Sequence, residues 1–356
     1  MAMFSNFTRF AVGEIIGIDP EAVEFYALIV KATYSWDEKG ELLPADPQPL
    51  VEVDVYAGEP GLSGPLYEAD YCPFKPRVDV LLHGALALPT PVGQIDATLE
   101  VGNRIRKTVR VFGDRAWIPG VVKTLALSKP RPFARMPLEW ERAFGGTDPD
   151  DPKCFEPKNP FGRGMRRKAP ALEGQPAPNF EDPRHLIESW DDHPAPVGFG
   201  PVGKSWQPRI RLAGTYDDAW MEERYPLAPA DFDPAFHNCA PADQQLDGYL
   251  PGEEVRLHYM TPAGHDRFRL PALEVPVAFR DKRGREIYER LRPDTIVIEP
   301  AQRRVSLVGR VCHFPEPNVL SLASVLVGQP WPGVVRAMKS GKQYLQPRSL
   351  LPGMPT

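Results

Sequence analysis

Proline and glycine set the first limit on what this chain can fold into. It carries 43 Pro and 29 Gly among 356 residues, about a fifth of the whole against roughly 12% in average usage. Proline fixes φ and removes an N–H donor, so loops rich in it are stiff. With 42% hydrophobic and 25% charged residues, the composition is that of a globular protein rather than a disordered one. The chain therefore reads as a folded protein with much of its length in ordered loops and turns. Stiff, ordered loops suit a binding surface better than a solvated linker.

Between the loops the sequence alternates with the period of strands. Residues 25–36 are rich in β-branched and aromatic residues and end at the turn sequence Asp37-Glu38-Lys39-Gly40. Further strands are predicted at 50–56, 78–88, 94–101, 108–112 and 116–118, with Ile95, Ala97, Leu99 and Val101 sharing one face. From about 131 to 251 the periodicity weakens, and Pro, Gly, Asp and aromatic residues dominate. Short helices are predicted there at 138–143 and 217–223. Strands return at 255–260, 267–270 and 275–280, followed by a hairpin of 295–299 and 305–314. Residues 319–327 predict a short amphipathic helix on Val319, Leu320, Leu322, Ala323 and Leu326. The expected fold is mainly β: antiparallel β-sandwich or barrel-like modules with long ordered Pro/Gly-rich loops and a few short helices. The expected division is an N-terminal antiparallel β domain over 1–130, a loop-rich motif region with a C-terminal β domain over 131–330, and a polar, Pro-rich tail over 331–356.

Charge and cysteine usage narrow the partners. A net charge of -5 argues against nucleic acid, which needs a basic face. Met1 to Phe10 holds one basic residue and no apolar stretch of the secretory kind, and the longest apolar runs are too short to span a bilayer. The expectation is a cytoplasmic protein with no membrane insertion. Cys72, Cys154, Cys239 and Cys312 lie far apart without CxxC spacing, which speaks against both a zinc site and a disulfide framework.

No nucleophile elbow, Walker loop, dinucleotide fingerprint or HExxH motif occurs. Gly198-Phe199-Gly200-Pro201-Val202-Gly203 is flanked by prolines and reads as a stiff turn rather than a phosphate cradle. Asp191-Asp192-His193 and the set Asp231, Asp233, His237 could supply metal ligands, although Asp and His commonly cap loop backbone. Glu139 with Glu141, and Glu222 with Glu223, are carboxylate pairs, and a glycosidase needs two such groups facing across a cleft. These keep a carbohydrate-active or metal-dependent hydrolase open as an alternative. No catalytic residue, metal or cofactor is assigned.

The middle of the chain carries an ordered motif series. Trp140-Glu141-Arg142-Ala143-Phe144-Gly145-Gly146 is followed by Asn159-Pro160-Phe161-Gly162-Arg163-Gly164, Pro196-Val197-Gly198-Phe199-Gly200-Pro201 and Trp206-Gln207-Pro208-Arg209. Gly214-Thr215-Tyr216-Asp217-Asp218-Ala219-Trp220, Arg224 to Asp233, and His237-Asn238-Cys239-Ala240-Pro241-Ala242-Asp243-Gln244 complete it. This series resembles the uncharacterised-domain family encoded in bacterial type VI secretion loci beside PAAR-like spike-tip proteins and effectors. The resemblance covers roughly residues 4–314. It implies an adaptor or chaperone that stabilises a cognate effector, or a PAAR-like protein, for loading on the VgrG spike. A structural part of the spike is the other non-enzymatic alternative. No catalytic residue carries over. The residues themselves suggest a partner surface: Trp206, Arg209, Tyr216 and Trp220 are of the types that dominate interface hot spots, and Asp217 is placed to cap a helix. Phe232, Asn238, Asp243 and Gln244 complete the candidate partner-binding set.

Overall fold

The computed structural model describes residues 3–121 and 125–340. Strands dominate it and helices are few and short, as the alternation in the sequence predicts. The main body is built from three open sheets. A seven-stranded sheet centres on the strands Glu24–Trp36, Arg304–His313, Arg292–Glu299 and Val78–Leu82, in that spatial order. A five-stranded sheet contains the hairpin of Gln94–Val101 and Ile105–Phe112, next to Glu254–His258 and His265–Arg269. A four-stranded sheet contains Pro276–Asp281, Glu286–Arg290 and Leu322–Val327.

One apolar core joins the three. Leu28, Val30, Ile296 and Leu307 from the first sheet, Leu99, Val109 and Leu257 from the second, and Val277, Phe279 and Val325 from the third belong to a single buried cluster. Trp36 stacks on Phe268 with ring centroids 4.6 Å apart, and Tyr26 meets Phe279 edge-on at 5.9 Å. Burying this much apolar surface supplies the main driving force for folding.

Several expectations need correction. The division at residue 130 does not separate sheets: Val78–Leu82 pairs with Arg292–Glu299, and Glu24–Trp36 pairs with Arg304–His313. The first of these pairings is parallel, as is Met3–Asn6 with Leu322–Val327, so the sheets are not purely antiparallel. None of the sheets closes into a barrel. Residues 319–327 form no α-helix. A 3₁₀ turn, Val319–Ser321, is capped by Asn318, and the chain then extends into the strand Leu322–Val327. The β-branched and apolar run has open partners on both sides in the four-stranded sheet, and that pairing overrides its helical spacing. Of residues 50–56 only Val55–Tyr56 pairs, with Pro65–Tyr67. The tail begins with a helix, Pro332–Lys339, and its remainder from 341 lies outside the described residues.

The seven-stranded sheet is buried on both faces, and the two faces differ in kind. Side chains alternate across a strand. Tyr26, Leu28, Val30 and Ala32 point into the apolar core. On the other face the same strands present Lys31, Thr33, Asp79, His83, Thr295, Ser306 and Arg310, all buried. Loop segments cover this polar face, and four ion pairs hold the layer together. Lys31 meets Asp70 at 3.0 Å and Lys75 meets Asp79 at 2.7 Å. Arg209 forks onto Glu68, and Arg310 bonds Asp294 while also donating to the Cys72 and Asp70 carbonyls. Four cations face four carboxylates, so the layer is neutral. Burial opposes charge on Lys75 and Asp79, but each one's partner outweighs it: the ammonium is held above its ordinary value and the carboxylate below. Removing one member of such a pair leaves a buried charge uncompensated, at a cost of about 3–5 kcal/mol. Asp79→Ala should therefore lower the free energy of unfolding by about that amount, read from the urea midpoint at unchanged m-value. A loss under about 1 kcal/mol would show that the layer contributes little.

Candidate partner-binding surface

The motif series builds one continuous loop layer, and its parts lock into each other. Trp140 is buried and donates its Nε1–H to the Pro201 carbonyl at 2.7 Å. Its ring packs edge-on against Trp206 at 5.8 Å, with Phe161 also against Trp206 at 5.9 Å. The turn with glycines at 198, 200 and 203 wraps these two indoles: a Cβ on Gly203 would lie 2.7 Å from the Trp206 Nε1, and one on Gly198 would lie 3.1 Å from the Trp140 ring. Glycine is needed here for close approach to rings, not to phosphate. Asn159, fully buried, donates to the Trp140 and Phe144 carbonyls at 2.8 and 2.9 Å.

The nine residues proposed as a partner surface divide into two groups. Trp206, Arg209, Asn238 and Gln244 are buried and serve the framework. Besides its fork on Glu68, Arg209 donates to the Phe236 and Val202 carbonyls at 2.8 Å each. Asn238 donates to Arg77 O and to Asp79, at 2.9 and 3.0 Å. Gln244 donates to the Val80 and Phe199 carbonyls at 2.7 and 2.9 Å. All three staple the loop layer to the strand Val78–Leu82 or to the segments beside it. Phe232 is half-buried against Phe236 and His237. Asp243 is exposed and pairs with the buried Lys107 at 2.9 Å.

Tyr216, Asp217 and Trp220 stand together on the outside. They sit on a small lobe around the helix Asp218–Glu223, which Asp217 caps by accepting the Trp220 N–H at 2.9 Å. Trp220 packs edge-on between Tyr216 and Tyr225, at 4.7 and 5.7 Å, and its Nε1–H is used by the Leu227 carbonyl at 2.9 Å. Tyr216, Met221 and Tyr225 are 60%, 58% and 64% exposed, values unusual for large apolar groups that have a place in a core. The base of the lobe is clamped. Asp231 accepts from the Thr215 N–H and hydroxyl at 2.8 and 2.7 Å, and those bonds hold its carboxyl below the usual range. At Gly214 φ is +83°, and a Cβ would meet Pro229 at 2.8 Å. Arg224 donates to Ala228 O and to Pro20 O, at 3.0 and 2.9 Å. The lobe is thus a rigid mount presenting an aromatic face with Asp217, Asp218, Glu222 and Glu223 around it.

The residues considered for catalysis have other partners. Asp192 accepts from the Glu188 and Ser189 amides at 2.7 Å, and His193 packs against Phe144. Asp233 caps the turn Pro234–His237. Glu141 accepts from the Gly64 amide at 2.6 Å, and burial together with Glu141 raises the Glu139 carboxyl. Glu222 and Glu223 are exposed on the lobe helix. Among the described residues no group of three or more His, Cys, Asp or Glu is arranged to hold a metal ion, and all four cysteines are free. Among the described residues no helix is long and apolar enough to cross a membrane.

The ion-pair residues Lys31, Glu68, Asp70, Lys75, Asp79 and Arg310 were not singled out from sequence. Their signal was there: Lys31, Asp79 and Arg310 each interrupt a strand that is otherwise apolar. Burial pushes two imidazoles near this layer down to about 4, His83, which stacks on Tyr67 at 4.2 Å, and His237, with Lys75 and Arg209 adding to the effect. Both stay neutral in the fold while the unfolded chain takes up protons near 6.5. The stability they contribute is complete above pH 6.5 and is lost as pH falls towards 4. His83→Phe keeps the stacking and removes one titration. It should flatten that loss by about 3 kcal/mol, measured as unfolding free energy between pH 7 and 4. An unchanged pH profile would place the His83 imidazole in solvent.

The family described as an uncharacterized protein conserved in bacteria, DUF2169, matches residues 21–310. That span takes in most of the seven-stranded sheet, the loop layer and the exposed lobe. Neither the curated proteins nor the solved structures give a match.

Proposed function

The chain belongs to DUF2169, a bacterial family, and we propose that within it this protein is an adaptor or chaperone of type VI secretion. It binds a cognate effector, or a PAAR-like protein, and holds it for loading on the VgrG spike. Two independent lines support the reading. The setting comes from the ordered motif series between Trp140 and Gln244. The binding role comes from the lobe, where Tyr216 and Tyr225 are exposed and rigidly mounted on either side of the half-buried Trp220. Rigid, exposed aromatics lose little entropy on binding and supply most of the energy of protein interfaces.

The lobe fits a protein partner, because its exposed aromatics carry an acidic border. A partner would lay an apolar patch on the aromatic face and basic side chains at Asp217, Asp218, Glu222 and Glu223, which would steer the encounter. Trp206 and Arg209 have no part in this contact, being buried.

Co-expression with the effector and PAAR-like protein encoded beside this chain, followed by affinity purification, tests the proposal. The expected result is a stable complex and an effector that is soluble only with its adaptor. Replacing Tyr216 and Trp220 together by Ala should weaken the complex at least ~10-fold with little change in melting temperature, since both lie outside the main core. Failure of both neighbours to co-purify, or full binding by the double variant, would overturn the assignment.

A further inference from the structure

A second site lies away from the lobe, under the first motif of the series. A cavity of about 370 Å³ is walled by four arginines, Arg115, Arg131, Arg142 and Arg163, with Asp114 and Ser128. Its charge is lopsided. Arg115 is neutralised by Glu181, both groups being buried, and also donates to the Pro178 carbonyl at 2.6 Å. Arg142 has only Asp114, at 3.5 Å, and that carboxylate is 65% exposed. Among the described residues Arg163 has no carboxylate within ion-pair distance, and Arg131 has no side-chain partner. Three guanidinium groups therefore face one carboxylate. Glu139 and Glu141 act on Arg163 through space from outside the cavity wall, where Glu141 is engaged by the Gly64 amide.

The fold holds these like charges together. Arg142 and Arg163 both donate an Nη1–H to the same acceptor, the side-chain oxygen of Asn179, at 3.3 and 3.1 Å. Asn179 is fully buried, and its amide nitrogen is fixed by Phe112 O at 3.0 Å and Asp114 at 3.1 Å. Burial, with Arg142 alongside, lowers the Arg163 guanidinium from its ordinary value. Arg115 and Arg142 each keep a buried Nε–H with no partner among the described residues. Arg115 is itself only 7% exposed. Buried donors of this kind are nearly always satisfied, and repelling arginines are stable together when an anion lies between them.

We propose that this cavity binds an oxyanion of the phosphate class. The excess of two positive charges matches a dianion, whose several oxygens can engage forked guanidinium groups at once. Arg142 and Arg163 provide the converging donors, Arg131 closes the outer side, and Asn179 sets the spacing of the first two. The ligand is inorganic phosphate or the phosphoryl group of a small metabolite. The site rests on its own geometry and stands whether or not the lobe binds an effector.

Isothermal titration of the full chain with inorganic phosphate, at constant ionic strength in chloride, tests this directly. A saturable heat at one site per chain is expected, with acetate at equal concentration giving none. Arg163→Met should weaken phosphate at least ~10-fold. Arg131→Glu should do the same by reversing a charge at an exposed, unpartnered position, where the fold is not at risk. Arg283→Met, in a turn remote from the cavity, should leave binding unchanged. Glucose 6-phosphate and phosphate are then compared: tighter binding of the sugar phosphate identifies a metabolite's phosphoryl group, and equal binding identifies the free ion. The proposal fails if phosphate gives no heat, if acetate binds equally well, or if Arg131→Glu binds phosphate like the parent protein.

Discussion

Everything in this structure depends on the second face of the seven-stranded sheet. A sheet in the middle of a protein ordinarily puts apolar residues on both sides. Here one side is apolar and the other carries Lys31, Thr33, Asp79 and Arg310 under a layer of loops. A neutral set of ion pairs makes that arrangement possible, because every buried cation is matched by a carboxylate and most of the remaining donors by loop carbonyls. Such pairs contribute less net stability than apolar residues of the same volume. What they contribute is position. Pro- and Gly-rich segments have few side chains with which to pack, and the ion pairs pin them where packing alone would not.

The motif series is best understood through that layer. Most of its residues maintain it: Trp140 and Trp206 lock against each other, Asn159, Asn238 and Gln244 satisfy backbone groups of neighbouring segments, and Arg209 anchors the layer from above. One stretch, from Gly214 to Asp231, is instead turned outward and held at its base. A stiff foundation and an exposed aromatic lobe are the two requirements of a surface that binds without rearranging. The sequence motif and the interface therefore overlap only in part.

Strand alternation was legible wherever a strand had one partner-rich face, as in the hairpin of Gln94–Val101 and Ile105–Phe112. It misled at 319–327, where the apolar spacing fits a helix but the four-stranded sheet offers pairing on both sides. The position at 130 looked like a boundary because the pattern weakens there. The sheets are instead closed by strands from opposite ends of the chain, a long-range pairing that local patterns do not encode. In the site, Asp217 was readable as a helix cap because capping is local. Trp206 and Arg209 could not be told from Tyr216 and Trp220 by residue type, since large aromatics serve cores and interfaces alike. The arginine cavity was less visible still, because its four members come from four separate segments and only Arg142 and Arg163 meet directly, on Asn179.

The ion-pair layer also dictates how the chain can be assembled. Arg310 donates to the carbonyl of Cys72 across 238 residues of sequence, and Arg209 reaches Glu68 across 141. Arg209 finds its carboxylate, and Arg310 its loop carbonyls, only once these distant parts of the chain have come together. Contacts so distant in sequence make folding slow and leave partly folded chains exposed. The emerging N-terminal third can pair Lys31 with Asp70 and Lys75 with Asp79, but its strands Glu24–Trp36 and Val78–Leu82 lack their central sheet neighbours, Arg304–His313 and Arg292–Glu299. Folding must wait for the last strands to leave the ribosome, and a chain cut anywhere inside the sheet would have no smaller stable form to fall back on.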